Sequence, residues 1–328
     1  MSNQIRFAIV GAGGIAQTHA QAISEIDEAV LVGVMDISTE AAQSMAEAFN
    51  CIAVESSEAL IRECSPEAAL ICTPPVTHAD LCRTFLEHEI AVLCEKPLCL
   101  DSETAKMLND LAAAKGVPFT MASKFRFCDD VVRAKSIIDS GLLGEILLLE
   151  NAFTAHVNMA GRWYSDPKIS GGGVLIDNGT HSVDIIRYLL GPISQVQVVE
   201  GKRVQHLDVE DTVQIFARTD SGALCTVDLS WTFNKELDTF IQIYGSQGTV
   251  RVGWQESKYR QPNSDWIGFG TGYNKMDCFK NMLINFCNSI TGKELSRIGP
   301  ADALASVQVI ESAYKSLGSV NWIAIERD

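Results

Sequence analysis

IRFAIVGAGGIA, residues 5–16, is the stretch on which the fold turns. Ile5–Val10 has strand character and runs straight into Gly11, Ala12, Gly13 and Gly14. Ile15 and Ala16 then open a segment with helical spacing that reaches Ile23. In such a GxGxxA run, glycine at 11 permits a tight turn, and glycine at 13 lets backbone approach a pyrophosphate. The small Ala16 allows close helix–strand packing. The helix N-terminus then faces the phosphate charge with its N–H groups and positive dipole end. Asp36 follows twenty positions after Ala16, at the end of a second strand-like run, Ala29–Met35. An acid there accepts hydrogen bonds from ribose hydroxyls and repels a 2′-phosphate. No arginine or lysine occurs from Ile37 to Glu40. The expectation is NAD rather than NADP, held by Gly11, Gly13, Gly14, Ile15, Ala16, Asp36 and Ile37. The competing reading is a plain glycine turn beside a solvated aspartate.

Outward from this unit, strand-like and helical segments alternate. Glu40–Phe49, Thr77–His88 and Asp101–Lys115 have helical patterns, with Asp101 or Ser102 as N-cap and Gly116 just past the end. Ala68–Cys72, Ile90–Cys94 and Val117–Ala122 read as strands. Strands separated by helices of ~10–15 residues imply βαβ units and a doubly wound parallel sheet. After Ser123 the strand-like runs Glu145–Phe153, Val196–Gly201, Thr212–Ala217, Ala223–Ser230, Thr239–Tyr244 and Thr249–Val252 follow one another with fewer helices between them. Helical patterns remain at Asp129–Ser140, Gly173–Leu190, Met276–Ile290 and Ala301–Ser316, and Gly253–Gly272 reads as a loop. The fold class expected is α/β, with a dinucleotide-binding domain over residues 1–123. A second α/β domain with a largely antiparallel or mixed sheet covers residues 124–328.

The bulk composition narrows the function class. The chain has 328 residues, 47% hydrophobic and 20% charged, with a formal net charge of −15. So acidic a surface disfavours sequence-independent binding to nucleic acid or to anionic membrane. No run approaches the ~18 apolar residues of a membrane span, and the N-terminus enters a strand without a signal-peptide pattern. The ten cysteines form no CxxC pair, and several sit in apolar strand-like runs. They read as reduced, mostly buried thiols of a cytoplasmic protein.

Two further motifs carry chemistry. ICTPPVTH (Ile71–His78) and CEKP (Cys94–Pro97) each end a strand, where open parallel sheets bind ligands. Thr73 and Pro74 would turn beside the dinucleotide, with His78 anchoring the adjoining helix. His19, in the first helix, reads as structural. Lys96 would donate a hydrogen bond to a substrate oxygen, or else sit at the surface paired with Glu95. GGGVLIDNGTH, Gly171–His181, places Asp177 and His181 four residues apart, on one face if the segment is helical. A carboxylate beside an imidazole suits the ring to taking a proton from an alcohol. The same pair could ligate a metal, but no third ligand stands at a convincing spacing, so no metal is expected. Asp184 lies on roughly the same face and either bonds the second ring nitrogen of His181 or forms a core salt bridge with a residue such as Arg187, the structural role being favoured. In the preceding loop His156 and Trp163 are candidates to hold a substrate, Trp163 and Tyr164 being alternatively loop anchors; Asn178 in the helix is a further candidate, and Arg126 at the domain junction either reaches an anionic group of a substrate or ties the domains together.

GxGxxA, TPxxxH, EKP and GGGxxxDxGxH together resemble the family of glucose–fructose oxidoreductase, inositol dehydrogenase and their relatives. Arg126–Phe127, SGLLGEI (Ser140–Ile146) and IYGSQGTV (Ile243–Val250) extend the resemblance over essentially the whole chain. It implies a Rossmann domain, then a domain whose open sheet makes oligomer contacts, hence a homodimer or homotetramer. It also implies NAD(P)-dependent oxidation or reduction at a carbinol carbon of a sugar, cyclitol or sugar derivative. Lys96, Asp177 and His181 match the family's catalytic trio, and Glu95 and Lys96 would also border the cofactor. Two alternatives are carried. One is an NAD-dependent glycoside hydrolase working by transient oxidation. The other is a non-catalytic dinucleotide-sensing regulator, which the intact trio disfavours.

Overall fold

The computed structural model describes residues 4–319 and 321–326. The chain divides into two compact units, one of residues up to Lys124 with Lys275–Leu304, the other of Phe125–Asn274 with Ala305 onward.

The first unit alternates β1 (Ile5–Val10), α1 (Gly14–Ser24), β2 (Ala29–Met35), α2 (Thr39–Phe49), β3 (Ile52–Val54), α3 (Ser57–Ala59), β4 (Ala68–Ile71), α4 (His78–Glu87), β5 (Ala91–Glu95), α5 (Ser102–Lys115) and β6 (Phe119–Ala122). The six strands are parallel in the order β3-β2-β1-β4-β5-β6, a doubly wound sheet whose order reverses between β1 and β4. β4, β5 and β6 are buried at every position, as expected of strands covered on both faces. Helix ends follow local chemistry. Asp101 accepts the Thr104 N–H at 2.7 Å at the start of α5, and Gly116 ends it in the left-handed region. The sequence boundary places Lys275–Leu304 with the second domain, but this segment clusters with the first unit. There α9 (Lys275–Ile290) packs on α1, with the Phe286 ring 6.1 Å from Phe7 and the Phe279 ring 4.6 Å from His19. An amphipathic helix carries no sequence mark of the surface it will cover, so the boundary pattern alone does not place it.

The second unit contains α6 (Asp129–Asp139), β7 (Ile146–Thr154), α7 (Pro167–Ser170), α8 (Val174–Leu190), β8 (Ile193–Glu200), β9 (Thr212–Thr219), β10 (Leu224–Ser230), β11 (Thr239–Gly245), β12 (Gly248–Gly253), β13 (Ser257–Arg260), β14 (Ile267–Gly270) and β15 (Ile323–Ala324). Helix α10 (Pro300–Ser316) precedes β15. The nine strands form a mixed sheet ordered β14-β13-β12-β11-β7-β10-β9-β8-β15, in which only β7 and β10 run parallel. α8 packs on β7, β9 and β10. The parallel sheet and this mixed sheet are the α/β class expected. One expectation fails inside it: Gly253–Gly272 is not a loop throughout. Its residues Ser257–Arg260 and Ile267–Gly270 pair as β13 and β14 and extend the sheet from β12. Strands of four residues offer too few positions for a period-2 pattern to stand out, and the partner edge that orders them is a tertiary feature.

Eight of the cysteines are free thiols, seven of them buried. Cys128 and Cys278 are disulfide-bonded, which corrects the expectation that all ten are reduced. Composition and the lack of a CxxC pair carry no information on such bonds.

Candidate active site

The expected cofactor residues of the first unit stand at the C-terminal ends of adjacent strands. Gly11 follows β1 at φ +96°, and a Cβ there would lie 2.8 Å from the Cys72 carbonyl oxygen at the end of β4. The two strand ends therefore touch through a residue that only glycine fills without strain. Gly13 is the N-cap of α1, and neither a side-chain cap nor an acidic residue occupies its first turn. Gly13 and Gly14 are exposed, and a Cβ on either would meet no atom within 4 Å. N–H groups of a helix start, the positive dipole end and open space together fit a pyrophosphate. Ala16 is fully buried where α1 passes the sheet, and Ile15 is half-buried.

Asp36 is held on both oxygens. Oδ2 accepts the Ala12 N–H at 2.6 Å and Oδ1 accepts the Ser38 N–H at 2.8 Å. The carboxylate is thereby tied to the glycine turn, and Ile37 beside it is fully exposed. Across the switch point, Thr73 and Pro74 form the turn after β4, both half-buried. The buried His78 ring sits between the carbonyl oxygens of Pro97 and Thr73, 2.8 Å from each, so it joins the β4 and β5 turns. A neutral imidazole donates to one of them at a time, and burial holds its pKa below the usual value despite both carbonyls.

Lys96 is half-buried at the end of β5. Its own N–H donates to Glu95 Oε2 at 3.1 Å, while Glu95 Oε1 lies 2.7 Å from His19 Nε2. Burial alone would raise the Glu95 carboxyl. The His19 bond and the charges of Lys96 and Lys124 outweigh it and hold Glu95 below its ordinary value. His19, expected as structural, is the buried partner that orients the carboxylate next to Lys96.

In the second unit α8 carries the other motif. From Val174 to Ile186 every residue is buried except Asp177, Asn178 and His181. These three open on one face of an otherwise enclosed helix, where the i, i+4 spacing puts Asp177 and His181 one turn apart. The His181 ring meets Phe125 edge-on at 5.1 Å and lies 6.4 Å from Phe153. Phe125 also stacks on Phe153 at 5.1 Å and on Tyr273 at 5.4 Å, with Phe240 and Trp254 continuing the cluster. This aromatic wall was not read from the sequence. Its members come from a 3₁₀ turn, β7, β11 and the segments after β12 and β14, and no local pattern links them.

Arg126 is buried, with Nε 2.8 Å from Asp184 Oδ1 and a second nitrogen equally close. Asp184 thus forms a core salt bridge, as expected of it, with Arg126, a partner not foreseen from the sequence. The loop before α8 exposes His156 and Asn158, and its Trp163 and Tyr164 rings stack at 3.7 Å. Gln205, also unforeseen, fixes this loop by accepting the Met159 N–H and donating to the Val157 carbonyl, both at 3.0 Å. Among the described residues no group of three or more His, Cys, Asp or Glu is arranged to hold a metal ion. No helix among them is long and apolar enough to cross a membrane.

Comparison with known proteins sets these groups in context. Residues 5–123 match the family described as an oxidoreductase family with an NAD-binding Rossmann fold, and residues 131–251 match its GFO/IDH/MocA C-terminal domain. Inositol 2-dehydrogenase of Rhizobium meliloti is 29% identical, covering 98% of this chain and 99% of its own. Glucose-6-phosphate 3-dehydrogenase of Bacillus subtilis is 30% identical, covering 94% and 95%. The solved structure of levoglucosan dehydrogenase with NADH and levoglucosan superposes with a TM-score of 0.91. It covers 99% of this chain and 100% of its own at 19% identity, which supports the fold.

Proposed function

The chain belongs to the GFO/IDH/MocA family of NAD-binding oxidoreductases, and from that premise we propose that Lys96, Asp177 and His181 carry hydride-transfer chemistry at a carbinol carbon of a sugar or cyclitol. The observation that carries the reading is the pattern of α8. A helix buried elsewhere from Val174 to Ile186 leaves accessible only an amide, a carboxylate and an imidazole.

Gly11–Ala16, Asp36, Ile37, Thr73, Pro74, His78 and Glu95 would hold the dinucleotide. Bound nicotinamide supplies the hydride acceptor. His181 Nδ1 is buried, so Nε2 is the nitrogen that takes the hydroxyl proton as the substrate C–H bond breaks and C=O forms. Lys96 would donate a hydrogen bond to a substrate oxygen and stabilise negative charge developing there. Asp177 orients the ring or the substrate. Asn178, His156 and the stacked Trp163 bind the sugar or polyol. Arg126, paired with Asp184 one turn beyond His181, braces the helix.

The cytoplasm is supported by the eight free thiols, and a homodimer or homotetramer by the mixed sheet. Leu224, Leu148 and Tyr244 pair in register there as a partly exposed apolar strip. The sugar, the cyclitol and the direction of reaction are found by following NADH formation over a panel of inositols, aldoses, glycosides and sugar nucleotides. General-base assistance is worth ~10²–10⁴-fold in rate. His181→Ala is therefore expected to lower turnover by at least that order while NAD affinity stays within about twofold. Unchanged turnover sinks the assignment.

A further inference from the structure

Helix α8 starts without a local cap. Its N-cap, Gly173, has no side chain to offer, so the first N–H groups need acceptors from elsewhere. A single distant residue provides them. The Glu210 carbonyl accepts the Val174 N–H at 2.9 Å. Its side-chain Oε1 accepts the Gly173 N–H at 2.9 Å and the Leu175 N–H at 3.1 Å. The Tyr314 hydroxyl, from α10, donates to the same oxygen at 2.8 Å.

The glycine run is shaped to this pair. A Cβ on Gly172 would lie 1.9 Å from the Tyr314 hydroxyl, and one on Gly173 would lie 2.0 Å from the Glu210 carbonyl oxygen. Glu210 is buried. Burial pushes its carboxyl above the usual range, against the pull of the Tyr314 hydroxyl and the Leu175 and Gly173 N–H groups. A buried carboxylate is an expensive cap, since an uncharged Gln would offer the same acceptor with less desolvation. What the carboxylate adds is charge at a helix N-terminus and strong, short-range direction. One turn further along the same helix stand Asp177 and then His181.

We propose that Glu210 and Tyr314 are positioning residues for Asp177 and His181, setting the rotation and advance of the first turns of α8. The inference rests on the function proposed above. Glu210 and Tyr314 touch no reacting atom. They act by holding the helix that does, and a 1 Å misplacement of a reacting group is enough to lower a rate by ~10²-fold. Capping for stability alone predicts a lower melting temperature with unchanged turnover per folded molecule. Positioning predicts a fall in kcat with cofactor binding intact.

The test uses the full chain and whichever panel polyol or sugar gives the highest NADH rate. Tyr314→Phe keeps the ring and removes the hydroxyl with the bond it donates to Glu210; kcat is expected to fall about fivefold, as for one lost bond of ~1 kcal/mol. Glu210→Ala is expected to lower kcat at least about thirtyfold, and Glu210→Gln, which keeps an acceptor oxygen, to recover most of that loss. NAD affinity, read by fluorescence, stays within about twofold, and KM moves less than kcat. Added to His181→Ala, either variant is expected to lower the residual rate little further, because both act through one group. If Glu210→Ala does not fold, Tyr314→Phe and Glu210→Gln carry the test. Wild-type kcat in Tyr314→Phe, or losses that multiply fully with that of His181→Ala, overturn the inference alone. Wild-type turnover in His181→Ala overturns the functional reading and this inference with it.

Discussion

Two runs of glycine, Gly11–Gly14 and Gly171–Gly173, each start a helix that bears on function, and they use the missing side chain in opposite ways. At Gly13 and Gly14 an added Cβ meets nothing within 4 Å, so the absent atom leaves room for a ligand. At Gly172 and Gly173 it would land 1.9 Å and 2.0 Å from Tyr314 and Glu210 atoms, so the absent atom admits the protein itself. The first run is a cradle and the second a packing joint. Sequence alone presents both as glycine-rich starts of helices. The distinction matters because a cradle answers to cofactor and a joint answers to stability.

Substitution separates the two. Gly173→Ala is expected to have the larger effect: overpacking against backbone typically destabilises by ~1–3 kcal/mol. With α8 displaced, kcat is expected to fall about a hundredfold. Thermal unfolding with steady-state kinetics reads both, and wild-type stability in this variant would break the comparison. Gly13→Ala is expected to leave the unfolding midpoint unchanged or slightly raised, since φ is −71° there and alanine restricts the unfolded chain by ~0.4–1 kcal/mol. NAD affinity is instead expected to drop about tenfold, a methyl group then filling the open space proposed for the pyrophosphate. A Gly13→Ala protein that melts early but binds NAD normally would reverse the roles of the two runs.

Asp36→Ala sharpens the cradle side. It removes an acceptor tied to the Ala12 and Ser38 N–H groups. The ratio of NAD to NADP efficiency is expected to fall about tenfold, the size of one hydrogen bond to a charged group. An unchanged ratio would mean that Asp36 only braces the turn. The smallest effect concerns Glu95, whose folded pKa lies below its ordinary value. Such a group adds stability above the unfolded pKa and loses it as pH falls through the folded one. Glu95→Gln should therefore flatten the acid limb of stability below about pH 5, where an ordinary carboxylate begins to take up its proton, as read by denaturant midpoints. An acid limb identical to wild type would remove Glu95 from the account of how Lys96 is held.

Much of the fold was legible because its determinants are local. The bounds of Ala29–Met35 agree to the residue, and of the two N-cap candidates for α5, Asp101 and Ser102, the first caps it, with Gly116 beyond its end. Alternation, helical periodicity and positive-φ glycine are properties of a few consecutive residues. β13 and β14 escaped because their order comes from the edge of β12. In sequence Arg126 reads either as the holder of an anionic group or as a domain tie. Its pairing with Asp184 spans 58 positions, which no motif encodes.

By itself the sequence determined the parallel sheet, the dinucleotide turn, the acid that follows it, and a helix with Asp177 and His181 one turn apart. All of these rest on spacing within about twenty residues. Tertiary structure alone decided what closes on that helix. Glu210 lies 37 positions from Gly173 and Tyr314 a further 104. The aromatic wall beside His181 is assembled from five separate segments. The physical reason is range. Backbone propensity is settled among near neighbours, whereas burial and hydrogen-bond satisfaction are settled by whatever the folded chain brings alongside.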